Sequence, residues 1–298
     1  MAGILCLCLG GNVPPACPAD APAPRRIVSL SPGITEILFA IGAGDRVVGV
    51  TDFCNYPEEA TKLPRVGGIL NPSFEKLLAL QPDLIIHQEA NGKIKNFVDR
   101  VDIQDLSVSL FNFRDIFQAV REIGDAVQEP EAASHLVDGL QAQLHRYQES
   151  LKGIRKKSVL LLLGITNAPT RDLYGVGPGT FLGQLLSLAG GKNILEDPDA
   201  LYPKLSKEFI LHRSPEVIIE IGTRTILSEE AQARRKEKWD RFPTLEAVQT
   251  GNIHFIGADY LLIPGPRLVK ILDRFVQVLH PEPYAQAHAP SPSGAPLP

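Results

Sequence analysis

The sequence contains few of the residues that build disulfide frameworks, metal sites or covalent active sites. It has four cysteines in 298 residues, and three of them, Cys6, Cys8 and Cys17, lie near its start. Cys54 is then the only cysteine in the expected globular part, so neither a disulfide framework nor a cysteine zinc site is predicted. The seven histidines are scattered without the spacing of metal ligands. We therefore predict no metal site and no cofactor.

Charge of one sign and long apolar runs are also scarce. The formal net charge is −4, without the basic excess that nucleic-acid binding requires. No apolar run reaches the roughly 18 residues that indicate a membrane span. A Gly-x-Ser-x-Gly elbow and a dinucleotide-binding loop are missing as well. These absences argue against a nucleic-acid partner, a membrane-spanning protein and the common α/β enzymes.

The two ends of the chain differ from the rest in composition. Residues 1–24 begin with a short apolar stretch and continue as a small, proline-rich segment, which predicts an export leader. The segment that ends in Cys17, VPPAC, matches a lipoprotein signal poorly, so no lipid anchor is expected. Residues 283–298 are rich in proline, alanine and serine and are predicted to be a disordered tail. We expect a periplasmic protein.

Between these ends, short apolar strands alternate with amphipathic helices. This alternation is typical of parallel sheets that carry helices on their faces. Apolar residues recur every three or four positions through residues 129–154, which predicts one long helix. We therefore predict an α/β protein with two Rossmann-like lobes, residues 25–128 and 155–282, joined by this helix. The cleft between the lobes is the expected ligand site.

An internal repeat relates the two lobes. Residues 73–86 read SFEKLLALQPDLII, and residues 206–219 read SKEFILHRSPEVII. The serine, the glutamate, the proline and the apolar strand fall in the same register. The chain is therefore predicted to be a structural duplication.

Four further motifs stand in a fixed order along the chain. They are SLSP at residues 29–32, GVTDFCNYP at 49–57, GGKNI at 190–194 and DYLLIPGPR at 259–267. Together with the repeat, this ordered set resembles the class III periplasmic binding proteins, and within them the cobalamin-binding subfamily. One difference is that those proteins often carry tryptophans in the cleft, whereas Trp239 here lies in a polar segment that is predicted to be helical.

The resemblance implies a protein that captures a corrinoid such as cobalamin and delivers it to an ABC permease dimer with its ATPase. We expect a monomer that binds without catalysis. Alternatives are a ferric siderophore or haem carrier of the same fold, a storage protein without a permease, and an α/β enzyme with a site between the lobes.

Aromatic residues in loops next to strands and helices are the main ligand-binding candidates. Aromatic side chains offer a broad macrocycle a large contact area at low entropic cost. The alternative is that some of them fill the lobe cores. Arg267 either meets a ligand amide or carboxylate or holds a local network. The full set of predicted cleft residues is Ser31, Pro32, Phe53, Tyr56, Tyr202, Tyr260 and Arg267.

Glu75 and Glu208 occupy the same position in the two repeats, each in the first turn of a predicted helix. Stabilisation of the helix dipole explains one such glutamate without any further role. The resemblance implies a second role, since the family uses glutamates of this kind to dock on arginines of the permease. Two equivalent carboxylates would suit a two-fold symmetric permease.

Three other features have weaker functional interpretations. Cys54 is predicted to be a passive thiol, because the sequence shows no base beside it. His87 ends a buried strand and is predicted to be a hydrogen-bonded core histidine. The segment Gly175–Gly179 lacks the Gly-Lys-Ser/Thr ending of a phosphate loop and is predicted to be a glycine loop at the cleft.

Overall fold

The computed structural model describes residues 22–89, 92–101, 103–164, 173–222 and 228–281. The predicted tail and all but the last three residues of the predicted leader lie outside these ranges. Within them, each helix is too short or too polar to cross a membrane.

The N-terminal lobe is a four-stranded parallel sheet flanked by helices. Its strand order is β2-β1-β3-β4. In chain order the elements are β1 (Ile27–Ser29), α1 (Pro32–Ala40), β2 (Val47–Val50), α2 (Phe74–Ala79), β3 (Leu84–Gln88), α3 (Gly92–Val101), β4 (Gln104–Val108) and α4 (Phe113–Ala126).

The C-terminal lobe repeats this arrangement and adds an antiparallel edge. Strands β7, β5, β9 and β10 are parallel and correspond in order to β2, β1, β3 and β4. Strands β6 and β8 run antiparallel, so this sheet is mixed, and its other four strands keep the predicted parallel arrangement. Both antiparallel strands are too short to show a periodic pattern. The elements are β5 (Lys157–Leu163), β6 (Leu173–Gly175), α6 (Phe181–Leu188), β7 (Gly191–Asn193), β8 (Lys204–Leu205), α7 (Lys207–Arg213), β9 (Val217–Gly222), α8 (Glu229–Glu237), α9 (Glu246–Gln249), β10 (Ile253–Gly257) and α10 (Leu268–Leu279).

The two halves of the sequence repeat also share their helix caps and backbone conformation. Ser73 and Ser206 cap α2 and α7 by accepting a hydrogen bond from a backbone N–H three residues on, at 3.3 and 3.1 Å. Gln81 and Ser214, each eight positions after its serine, both adopt positive φ, 44° and 37°. Each short helix therefore begins and ends in the same way before its strand.

The carboxylate after each repeated proline fixes the next strand to its neighbour. Asp83 accepts hydrogen bonds from the backbone N–H groups of Arg25 and Arg26, at 2.8 and 2.9 Å, at the start of β1. Glu216 accepts one from the N–H of Ser158, at 2.8 Å, near the start of β5. These bonds use donors at strand ends that would otherwise have no partner.

Helix α5 (Pro130–Ser150) joins the two lobes. Its buried side chains, Val137, Leu140 and Leu144 among them, belong to a core that continues into both lobes. The helix ends before the predicted residue 154, and Gly153 follows with a left-handed φ of 81°. A glycine in this conformation is a common helix stop.

The carboxyl ends of the parallel strands in the two lobes face each other. The N–H of Phe181 donates to the backbone oxygen of Phe111, just after β4, at 2.7 Å. On the other side, Gly33 lies so close to the loop after β10 that a Cβ atom on it would be 2.3 Å from the oxygen of Pro264. Only glycine permits this approach, and the loops that end the strands therefore meet between the lobes.

Candidate functional site

The candidate site is the inter-lobe cleft, which we define as the loops at the carboxyl ends of the parallel strands of both lobes. Ligands of open α/β sheets bind at this edge. Phe53 and Tyr56 follow β2 and are exposed, and Tyr202 precedes β8 and is exposed. Tyr260 follows β10 and is half-buried against the core. The structure thus brings aromatic residues of both lobes to the facing edges.

Two more exposed aromatic side chains lie at these edges and were missed by sequence reasoning. Phe111 comes just after β4, and Tyr174 lies on β6 beside the carboxyl end of β5, opposite Leu163. Phe111 could have been found by the rule that selected Phe53, an aromatic directly after a strand. Tyr174 could not, because β6 gave no strand signal.

Arg267 lies at the N-terminal end of α10 and forms an ion pair across the lobes. Its Nε and Nη2 donate to the two carboxylate oxygens of Glu36 on α1, at 2.9 and 2.6 Å. Its Nη1 donates to Oδ2 of Asp259 at 2.9 Å. Of its two predicted roles, the structure therefore favours the local network over direct ligand contact. We call these three residues the Arg267 cluster.

The guanidinium of Arg267 also lies on two of the predicted cleft aromatics. Its Cζ is 4.1 Å from the ring centroid of Tyr56 and 5.4 Å from that of Tyr260. Such cation–π contacts are worth about 0.5–2 kcal/mol, depending on burial. One side chain thus holds an aromatic residue of each lobe in place.

Burial and hydrogen bonding shift the pKa values of Glu36 and Arg267. Burial raises the pKa of the Glu36 carboxyl, although the hydrogen bonds and charge of Arg267 act against the rise. Burial acts to lower the pKa of Arg267, but its hydrogen bonds to Glu36 and Asp259 outweigh that effect and raise it. The guanidinium therefore stays charged, and Glu36 is the member of the pair whose protonation responds to pH.

Ser31 and Pro32 are buried at the start of α1. The hydroxyl of Ser31 accepts a hydrogen bond of 2.7 Å from the side-chain amide of Gln88, which ends β3. The structure therefore buries both predicted residues, and Ser31 connects the end of β1 to the end of β3.

Cys54 is a buried thiol held by two threonines. Its Sγ lies 3.1 Å from the hydroxyl oxygens of Thr35 and Thr51. Arg65 donates to the backbone oxygens of Thr51 and Cys54, at 2.6 and 2.8 Å. These contacts fix the loop that carries Phe53, in keeping with a passive thiol.

His87 is buried, and its Nε2 lies 3.0 Å from Oδ2 of Asp105 on the adjacent strand β4. It is a hydrogen-bonded core residue, as predicted. Among the described residues no group of three or more histidine, cysteine, aspartate or glutamate side chains could hold a metal ion.

The glycine loop before α6 is shaped by packing. A Cβ on Gly177 would lie 2.0 Å from the backbone oxygen of Ala200, and one on Gly179 would lie 2.1 Å from that of Pro198. The glycines therefore allow the segment before Tyr202 to pass close by.

Trp239 is fully buried in the core of the C-terminal lobe. Its indole N–H donates to Oε1 of Glu220 on β9 at 2.9 Å. The polar sequence around it arises because helix α8 before it buries no side chain. Trp239 therefore has no surface to offer a ligand.

Glu75 and Glu208 lie in the first turns of α2 and α7, and both are exposed. Among the described residues, neither carboxylate has an ion-pair partner. Each helix runs from the carboxyl edge of its sheet back to the start of the following strand, so both glutamates lie on the side of their lobe that borders the cleft.

Comparison with known proteins identifies the fold and the family. The model of the family described as "Periplasmic binding protein" matches residues 27–260. An uncharacterised ABC transporter substrate-binding lipoprotein of Bacillus subtilis, YvrC, is 28% identical over 88% of this chain and 82% of its own. The vitamin B12-binding protein of Vibrio cholerae is 29% identical over 84% of this chain and 87% of its own.

Solved structures of related proteins superpose on most of the chain. The periplasmic vitamin B12 binding protein BtuF of Vibrio cholerae gives a TM-score of 0.71 at 26% identity and covers 86% of this chain and 97% of its own. A periplasmic heme binding protein from Pseudomonas aeruginosa gives 0.74 at 22% identity, over 87% of this chain and 94% of its own, which shows the fold alone.

These matches confirm the family resemblance and the α/β fold class. Because the family binds ligands without converting them, they also confirm that the chain is not an enzyme. The chain belongs to the periplasmic binding protein family and is an extracytoplasmic substrate-binding protein of an ABC importer.

Proposed function

We propose that the chain carries a corrinoid of the cobalamin type in the inter-lobe cleft. The observation that carries this proposal is the set of exposed aromatic side chains on both facing strand edges. Broad, partly apolar ring systems are bound well by rigid aromatic side chains, which lose little entropy on binding. The vitamin B12-binding relatives add support. Phe53, Tyr56 and Phe111 would contact the ligand from one lobe, and Tyr174, Tyr202 and Tyr260 from the other.

Haem is the second candidate. The specific observation in its favour is the pair of partly exposed tyrosine side chains, Tyr174 and Tyr202, on neighbouring edge segments, because tyrosine can serve as an axial ligand of haem iron. The related fold of a heme binding protein agrees with this candidate.

A titration of the purified protein against cobalamin, cobinamide, haem and a panel of ferric siderophores tests the proposal. We expect saturable binding of the corrinoids, with recovery of the cobalamin spectrum unchanged after release. Haem binding with a tyrosinate charge-transfer band, without corrinoid binding, would replace the first candidate by the second. Spectral conversion of cobalamin would contradict a carrier role.

We further propose that Glu75 and Glu208 dock the loaded protein on the permease. Their equivalent places in the two lobes suit a two-fold symmetric partner with one cationic residue on each subunit. Charge-assisted contacts of this kind set register and encounter rate more than total affinity. The chain would then act as a monomer that meets both permease subunits.

Glu75→Gln and Glu208→Gln test this docking role. We expect each change to leave cobalamin affinity within about twofold and to lower ATPase stimulation of the reconstituted importer, with a larger loss for the double variant. The loss should shrink in high salt, because salt screens exposed charges. Glu229→Gln, at the exposed start of α8, is the matched control. Unchanged stimulation in the double variant would leave only helix stabilisation as the role.

A further inference from the structure

Each repeated helix carries an exposed leucine beside its glutamate. Leu78 follows Glu75 by three residues, and Leu211 follows Glu208 by three. Residues three apart lie next to each other on a helix surface. The preceding residues, Leu77 and Ile210, are buried in the lobe cores, whereas Leu78 is 47% exposed and Leu211 is 39% exposed.

A single exposed leucine on a protein surface needs no functional explanation. Here, however, an exposed leucine occurs at the same position in both repeats. The two leucines have the same offset from the capping serine, and both are exposed to a similar extent. Other surface positions of the repeat differ, since Phe74 corresponds to Lys207 and Lys76 to Phe209. The glutamate and the leucine are thus the exposed side chains that both helices share.

We infer that Leu78 and Leu211 are the apolar half of a duplicated docking surface, which consists of Glu75 with Leu78 and Glu208 with Leu211. Its occupant is the two-fold symmetric permease dimer, with a cation next to an apolar contact on each subunit. The two carboxylates, which are exposed and have no ion-pair partner within the described ranges, supply the negative charge, and each leucine excludes water beside the ion pair. This inference rests on the proposed docking of the two glutamates.

The glutamate and leucine contacts should respond differently to salt. An exposed ion pair is weakened by salt, because the screening length falls to about 3 Å near 1 M. The contact made by a buried leucine is stabilised by the removal of apolar surface from water, and salt does not screen this effect. The leucines therefore account for the part of the docking affinity that persists in high salt.

The test is the affinity of the full chain for its own importer, reconstituted in lipid nanodiscs, in low and in about 1 M salt. We expect Leu78→Ser with Leu211→Ser to weaken docking about 10-fold to 30-fold at both salt concentrations. Leu78→Met with Leu211→Met should restore docking, because methionine keeps the volume and apolar surface. Melting temperature and cobalamin affinity of each variant show that fold and ligand site are intact.

Leu70→Ser is the matched control. Leu70 is 65% exposed, more than either leucine, but the residue at the equivalent place in the other lobe is Pro203. If Leu70→Ser lowers the docking affinity as much as the double serine variant does, the duplicated positions have no special role. The same conclusion follows if the double serine variant docks with wild-type affinity. If the glutamate variants also dock normally, the docking proposal itself fails. If only the leucine variants dock normally, that proposal stands and this inference falls.

Discussion

Replacement of Arg267 by alanine is expected to lower the free energy of unfolding by about 3–5 kcal/mol, the usual cost of removing one partner of a buried ion pair. The change leaves the Glu36 carboxyl buried without its two hydrogen bonds and without a neutralising charge, and it removes the ion pair between the lobes. It also removes the cation between Tyr56 and Tyr260. Urea unfolding gives the stability, and the cobalamin titration gives the effect on binding, which we expect to be a loss.

The loss of stability should depend on pH in a defined direction. Burial already raises the pKa of Glu36 in the presence of Arg267, and without the guanidinium it rises further. A carboxyl with a higher pKa in the folded than in the unfolded state binds protons more tightly when folded. Its contribution is therefore most favourable at low pH and is lost as the pH rises through the folded pKa. The deficit of Arg267→Ala should shrink on acidification.

Lys270→Ala is the matched control, since Lys270 is an exposed cation in the first turn of the same helix, and its charge has a smaller effect on the pKa of Glu36 than Arg267 has. We expect it to change stability by less than about 0.5 kcal/mol. Arg267→Lys keeps the charge but cannot make the two-nitrogen contact with Glu36, so it should fall between alanine and wild type. A pH-independent deficit would show that the ion pair is not the cause.

Replacement of Trp239 by alanine is expected to cost about 3–5 kcal/mol of stability, the range for large buried aromatics. The loss combines a cavity with the loss of the indole donor to Glu220. Trp239→Phe keeps most of the volume and removes the donor, so it should cost about 1–3 kcal/mol. Thermal and chemical unfolding measure both.

The same variants decide whether Trp239 contributes to the ligand site. Because the residue is fully buried, Trp239→Phe should bind cobalamin with wild-type affinity wherever the protein is folded. Tyr202→Ala is the opposite control, since an exposed cleft aromatic should affect ligand affinity more than stability. Weaker binding by a fully folded Trp239→Phe would contradict the structural role.

The sequence predicts the two lobes well because their signals are local and appear twice. Apolar strands, capping serines and the repeated proline are all visible within segments of about 14 residues. The polar segment around Trp239 was predicted to be helical, and helix α8 covers its first part but ends at Glu237. The start of α8 was not predicted, because its residues are polar on every side and no apolar period marks it, although Ser228 is a good N-cap. Helix α3 was missed in the segment between β3 and β4.

The candidate site could be predicted only in part. The aromatics that follow strands are found by rule, since carboxyl ends of parallel strands share one edge. The contact between Glu36 and Arg267 spans 231 positions and depends on how the lobes pack, so no local pattern reveals it. The burial of Trp239 is missed for a similar reason. Its neighbours in sequence are mostly charged, whereas in space it lies in the apolar core of the C-terminal lobe, with Glu220 as its hydrogen-bond partner.

The continuous core has a consequence for how cargo leaves the protein. Buried residues of both lobes and of α5 belong to one cluster, and Gly33 meets the loop at Pro264 without a gap. A wide swing of the lobes would expose this apolar surface and break the Glu36–Arg267 pair, so we expect thermal motion alone to open the cleft rarely. We expect unloading to require work by the importer, which would have to distort a protein whose lobes do not separate widely on their own.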